Sequence, residues 1–212
     1  MMGHSMRNVS VGALLLGSGP RFARDALGPV VVFYLGWKLL GLTAGIIGAT
    51  VVALIAYGWE RRQARSGLTA TIGLGIALVQ AIVGLASGSA IAFFGPGVII
   101  NGIYGVAFVV SVIIGRPLAG VFAQETYPFP PEVRASITFR RIYTRISLVW
   151  GVFLLLRCGF RLFALSWRDV DLFVAVSVVT GVPFTAALMT WSIWYGVRGF
   201  RRSEEWGWAL KT

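Results

Sequence analysis

Charged residues fall in clusters along this chain, and between the clusters lie apolar runs over residues 21–40, 42–59, 68–86, 97–114, 146–165 and 172–197. The cleanest is Gly97–Ile114. Its roughly 18 uncharged residues, as a helix, reach about 27 Å, close to the thickness of a bilayer core. Pro96 precedes it and suits a first helical turn, where the missing N–H has no partner to lose. Gly115-Arg116-Pro117 closes it, because Pro117 cannot continue the ladder and disfavours a helical Arg116. Between Ala26 and Trp59 Lys38 is the only charge. A single helix of that length would exceed about 50 Å, so the run divides at Lys38–Gly41 into a tight helical hairpin. Residues 87–94 read as an uncharged turn whose two phenylalanines suit an interface. Pro183, inside the last run, frees the carbonyl of Val179 and predicts a kink. The pattern predicts an all-α polytopic bundle of six transmembrane helices. Residues 1–20 form an N-terminal arm, 21–198 the membrane domain, and 199–212 a tail whose Trp206 and Trp208 suit the interface.

Composition points the same way. The chain is 57% hydrophobic with a mean hydropathy of +0.78, above the ordinary range for soluble domains. Its net charge of +11 then belongs to loops facing anionic lipid, and nucleic acid is not expected as a partner. Of the 19 lysines and arginines, all but Lys38, Arg157, Arg161 and Arg168 fall in the N-terminal arm, the second-to-third loop, the fourth-to-fifth segment and the tail. With six spans those regions share one side, so both termini are expected in the cytoplasm.

The polar residues inside the runs are few. Asn101, Tyr104, Phe108 and Ser111 are spaced by three, four and three, so they share a helix face that should point into the bundle. That face reads either as an interhelical hydrogen bond that fixes packing or as the lining of a polar cavity. Arg157 and Arg161 share a face of the fifth run. They read as snorkelling groups paired with Asp169 and Asp171, or as a cationic wall for an anion. Lys38 belongs to the same outer layer, and Tyr34 is counted with Lys38, Asn101, Tyr104, Ser111, Arg157 and Arg161 in one candidate polar cavity or packing cluster. Gln80 reads as a packing amide. Further on, Arg134, Arg141 and Arg145 recur at seven and four residues, with Ile137 and Ile146 as apolar anchors. This is a basic amphipathic segment suited to a cytoplasmic interface.

Several chemistries are not expected. No carboxylate lies within a span interior, the one histidine is His4 and the one cysteine Cys158. That disfavours paired-acid catalysis, a His-based triad, a disulfide framework and a Cys/His metal site. Neither an enzyme nor a bound cofactor is expected.

Pro29, Tyr34, Lys38 and Gly41, then Pro96 with Val98-Ile-Ile-Asn101, Gly115-Arg116-Pro117-Leu118, Pro131-Glu132-Val133 and Trp150 follow one another in order. In this the chain resembles the intracellular septation protein A family of bacterial inner-membrane proteins, over roughly residues 25–197. The resemblance implies a role in the cell envelope, with cell-division and wall-elongation membrane proteins as partners, and no catalytic site. Two functional readings follow. In one, the protein binds membrane partners and anionic lipid, with Arg134, Arg141 and Arg145 as the contact and a homo-oligomer allowed. In the other, it is a small transporter or channel for an anionic or small polar solute, through a cavity lined by the first, fourth and fifth spans.

Overall fold

The structure, a computed structural model, describes residues 28–62, 68–126 and 129–205. The N-terminal arm, the entrance residues Arg21, Arg24 and Asp25, Arg65, Tyr127 and the tail tryptophans lie outside the described residues. The described residues are all-helical: α1 (Gly28–Leu40), α2 (Leu42–Arg62), α3 (Leu68–Ser87), α4 (Ala90–Ile113), α5 (Leu118–Thr126), α6 (Pro131–Ala135), α7 (Ile137–Ser166), α8 (Val170–Val179) and α9 (Val182–Arg201). Four segments are long and apolar enough to cross a membrane: Leu42–Trp59, Ala90–Ile113, Ile137–Ser166 and, taken across the α8–α9 break, Val170–Arg201. Many large apolar side chains point outward, among them Ile82, Ile99, Ile103, Leu156 and Phe163. Water would penalise such a surface, whereas lipid chains accept it. The protein is a membrane protein.

The hairpin expected at Lys38–Gly41 is present. Gly41 takes φ +92°, a left-handed conformation that glycine adopts without a Cβ clash. The chain reverses there, and α2 returns against α1 with almost no side chain between them. A Cβ built on Gly45 would lie 2.7 Å from the Phe33 carbonyl oxygen. The central seam, α4 on α7, uses the same device. A Cβ on Gly105 would meet Leu155 Cγ at 2.8 Å, and one on Gly151 would meet Val109 Cγ2 at 2.7 Å. Without a hydrophobic drive between helices in lipid, such close packing is what holds a bundle together.

Two aromatic clusters mark the ends of the bundle. At the Lys38 end, Phe33 stacks on Phe93 with ring centroids 4.4 Å apart, and Phe94 meets Phe173 at 4.5 Å. At the other end, rich in arginine, Phe139, Tyr143, Phe129 and Phe200 pack together. The turns after α1, α3 and α7 all lie at the Lys38 end, where Lys38 Nζ reaches Asp171 Oδ2 at 3.0 Å.

Three expectations are corrected. First, α4 begins at Ala90, capped by Ser89, whose hydroxyl accepts from the Ala92 N–H at 3.3 Å. Pro96 therefore lies inside the helix, and Phe93 and Phe94 are core residues at 6% exposure each, not interface groups. The serine cap outweighs the positional preference of proline. Second, Pro183 does more than kink a helix. The ladder stops after Val179 and restarts at Val182, with Pro183 in the first turn of α9 and Gly181 at its N-cap. Third, the fifth run starts nine residues earlier than its apolar pattern indicates, because α7 opens at Ile137 behind the cap of Ser136. That cap ends α6 at Ala135, so Arg134 sits on a different helix from Arg141 and Arg145.

Candidate functional site

At the Lys38 end the polar groups are largely matched with one another. Lys38 pairs with Asp171 and lies 5.1 Å from the Trp37 ring centroid and 5.8 Å from that of Tyr34. Asp169 is the N-cap of α8, accepting from the N–H groups of Asp171 at 2.9 Å and Leu172 at 3.0 Å. The two carboxylates expected to pair with Arg157 and Arg161 are thus committed to Lys38 and to a helix terminus.

The α4 stripe separates into three roles. Asn101 Nδ2 donates to the Gly97 carbonyl oxygen of its own helix at 2.8 Å, a bond made within α4 and not to a neighbouring helix. Tyr104 is 41% exposed and looks outward, while Phe108 and Ser111 are buried. At about 100° per residue Tyr104 lies between Phe108 and Ser111 around the helix, so its exposure is set by what packs at its level of α4 and not by its face. Ser111 is a structural group: its hydroxyl donates to the Phe108 carbonyl at 2.6 Å and accepts from the Leu118 N–H at 3.0 Å. Ser147, fully buried on α7, accepts from the next amide, Ala119, at 3.0 Å. Together they satisfy the first amides of α5, which would otherwise lack partners. The site residues brought together here are therefore Ser111 and Ser147, not Ser111 and Asn101. Gln80 packs against Gly97, whose Cβ position is 2.5 Å from Gln80 Nε2.

On α7 the arginines form two groups. Arg140, Arg141 and Arg145 are exposed on the first turns and, with Ile137 and Thr144, border a shallow surface groove. Arg145 Nη1 donates to the Tyr195 hydroxyl at 2.9 Å, tying α7 to α9. Arg134 is exposed on α6. Farther along, Arg157 and Arg161 are half-buried against α8. The Arg161 guanidinium carbon stands 6.0 Å from the Phe173 ring centroid. Arg157 Nη2 comes within 3.4 Å of the position a Gly181 Cβ would take, beside the α8–α9 break. The Nε atoms of both arginines, and the Ser177 hydroxyl, are buried without a hydrogen-bond partner. Among the described residues no group of histidines, cysteines and carboxylates is placed to hold a metal ion.

A family model described as Protein of unknown function (DUF3159) matches residues 17–203. The chain belongs to this family. The match extends over every helix from α1 to α9. No curated protein and no solved structure matches the chain.

For this DUF3159 chain, the residues that sequence reasoning passed over are Ser147, Ser177 and Gly181. Ser147 carried a weak signal, as a hydroxyl between Ile146 and Leu148 in an apolar run. Ser177 and Gly181 carried a clearer one. With Phe173 they recur every four residues, which lines one face of a helix. Their importance depends on which helix that face meets.

Proposed function

We propose that this DUF3159 protein is a non-enzymatic, six-span protein of the bacterial inner membrane with both termini in the cytoplasm. It acts in the cell envelope by engaging anionic lipid and membrane-protein partners of division and wall elongation. The four long segments are counted with α1 and α3 to give six crossings. The Lys38–Asp171 pair, which joins the turn after α1 to the turn after α7, supports an alternating path. The arginine end is then the cytoplasmic end by the positive-inside rule.

The observation that carries the reading is the face of Arg140, Arg141 and Arg145 around Ile137, which is 70% exposed. An apolar side chain ringed by arginines at a helix start suits the headgroup zone of an anionic leaflet and a partner bound there. The septation role rests on the resemblance at Pro96, Val98–Asn101 and Gly115–Leu118. Charge reversal at Arg141 and Arg145 is expected to lower co-purification of division and elongation membrane proteins at least about fivefold (about 1 kcal/mol), with folding unchanged. Unchanged recovery would remove the proposed contact.

A second reading, passage of an anionic or small polar solute between α1, α4 and α7, is favoured by Arg157 and Arg161. Flux of small anions into proteoliposomes tests it, and no flux above empty vesicles would count against it.

A further inference from the structure

We infer that Arg157, Arg161 and Ser177, beside the α8–α9 break, form an intramembrane receptor for a phosphate-class oxyanion, borne by a lipid headgroup or free in solution. The inference does not rest on the basic cytoplasmic face. Phe173, Ser177 and Gly181 line one face of α8 and its end at four-residue intervals, and Arg161 and Arg157 line the facing side of α7. Arg161 stands over Phe173 and Arg157 beside Gly181, and Ser177 is the residue midway between those two on the same face of α8.

Three features point to an anion as the ligand. The first is charge. Two like-charged side chains one turn apart repel, and a half-buried guanidinium without a counter-charge is costly. Asp171 and Asp169 are committed elsewhere. The second is the open donor edge. An Nε–Nη edge is the fork that grips carboxylate or phosphate with two parallel bonds, and both Nε atoms are buried and unpartnered. The third is Ser177, 5% exposed with an idle hydroxyl. Several helical hydroxyls of this chain donate to the carbonyl four residues back, as Thr50, Thr190 and Ser192 do. Ser177 does not, so its hydroxyl is available to a ligand.

The chemistry favours phosphate. Two forks and a hydroxyl offer about five donors, more than the roughly four lone-pair sites of a carboxylate. Two guanidinium charges match a dianion, and the uncapped N-terminus of α9 adds partial positive charge. The depth is accessible as well. Arg161 and Arg157 lie five and nine residues from the end of α7 at Ser166, about 8 Å and 14 Å at 1.5 Å per residue.

The test uses the 212-residue chain in neutral maltoside micelles, carrying Arg140→Gln, Arg141→Gln and Arg145→Gln so that the groove on the first turns of α7 contributes nothing, while the remaining surface arginines are the same in every variant compared. The thermal unfolding midpoint is followed with inorganic phosphate, phosphatidylglycerol or phosphatidylcholine. An anionic probe is expected to raise the midpoint by several degrees, and phosphatidylcholine to leave it unchanged. A response to phosphatidylglycerol alone assigns a headgroup; a response to inorganic phosphate assigns a free anion. Adding Arg157→Gln and Arg161→Gln should raise the half-saturating concentration at least tenfold, and Ser177→Ala alone several-fold. If the glutamine pair does not fold, Arg157→Lys with Arg161→Lys keeps the charge, removes the fork and should still weaken the response. No response to either anion, or one unaltered by the α7 substitutions and by Ser177→Ala, would overturn the inference.

Discussion

Helix α7 carries arginines at Arg141 and Arg145 and again at Arg157 and Arg161, each pair four residues apart. The first pair lies exposed at the arginine end, and Arg145 is bonded to Tyr195. The second is half-buried beside a broken helix, with both Nε atoms lacking a partner. The same residue at the same spacing is a solvated or headgroup-facing cation in one place and an uncompensated charge in the other. What differs is the neighbour. The first turns of α7 meet α5, α6 and the polar end of α9, whereas the last turns meet apolar α8 and its interruption at Thr180–Gly181. An intramembrane arginine is therefore informative in proportion to what the opposite helix offers it.

The largest effect that would break this contrast is loss of the seam that positions α7. Gly151→Leu places a side chain where a Cβ alone would lie 2.7 Å from Val109 Cγ2 and 3.2 Å from the Gly105 carbonyl oxygen. It should destabilise the protein by about 3 kcal/mol, read by thermal unfolding in micelles. Next is the deep pair itself. Without an anion, Arg157→Gln with Arg161→Gln should make the protein more stable by about 1–3 kcal/mol, since an uncompensated charge is removed. The matching change at Arg141 and Arg145 should move stability by less than about 1 kcal/mol. Equal effects from the two double variants would erase the distinction. Ser147→Ala leaves the Ala119 amide without its hydroxyl partner and should cost about 1 kcal/mol. Hydrogen exchange should show α5 loosening before the rest. The smallest expected change is Tyr195→Phe, within about 1 kcal/mol, because the Arg145 guanidinium can turn to water or headgroups.

The contrast was partly legible in the amino-acid pattern. Lys38 and Gly41 announced a hairpin, because a charge followed by glycine interrupts an apolar run too long for one crossing. The clustering of arginines announced that the first turns of α7 and the last turns of α9 share an end. Arg157 and Arg161 were visible as a face, but their lack of partners was not. Asp171 lies close to them in sequence, yet the fold gives it to Lys38, which is 133 residues away. Helix limits failed where a short cap overrode the apolar pattern. Ser89 starts α4 ahead of Pro96, and Ser136 starts α7 while detaching Arg134. The place of Asn101 in an apolar run predicts a partner on another helix, but the Gly97 carbonyl of its own helix accepts its N–H.

The central claim is that the two arginine pairs of α7 lie in different surroundings. Single cysteines replacing Arg141, Arg145, Arg157 or Arg161, in a Cys158→Ser background, test it through labelling by a membrane-impermeant maleimide in right-side-out and inverted vesicles. Positions 141 and 145 are predicted to label rapidly and only from the cytoplasmic side, and positions 157 and 161 to resist from that side. Labelling of 157 and 161 from the cytoplasmic side at the rate of 141 and 145 would place both pairs in the same water and contradict the account.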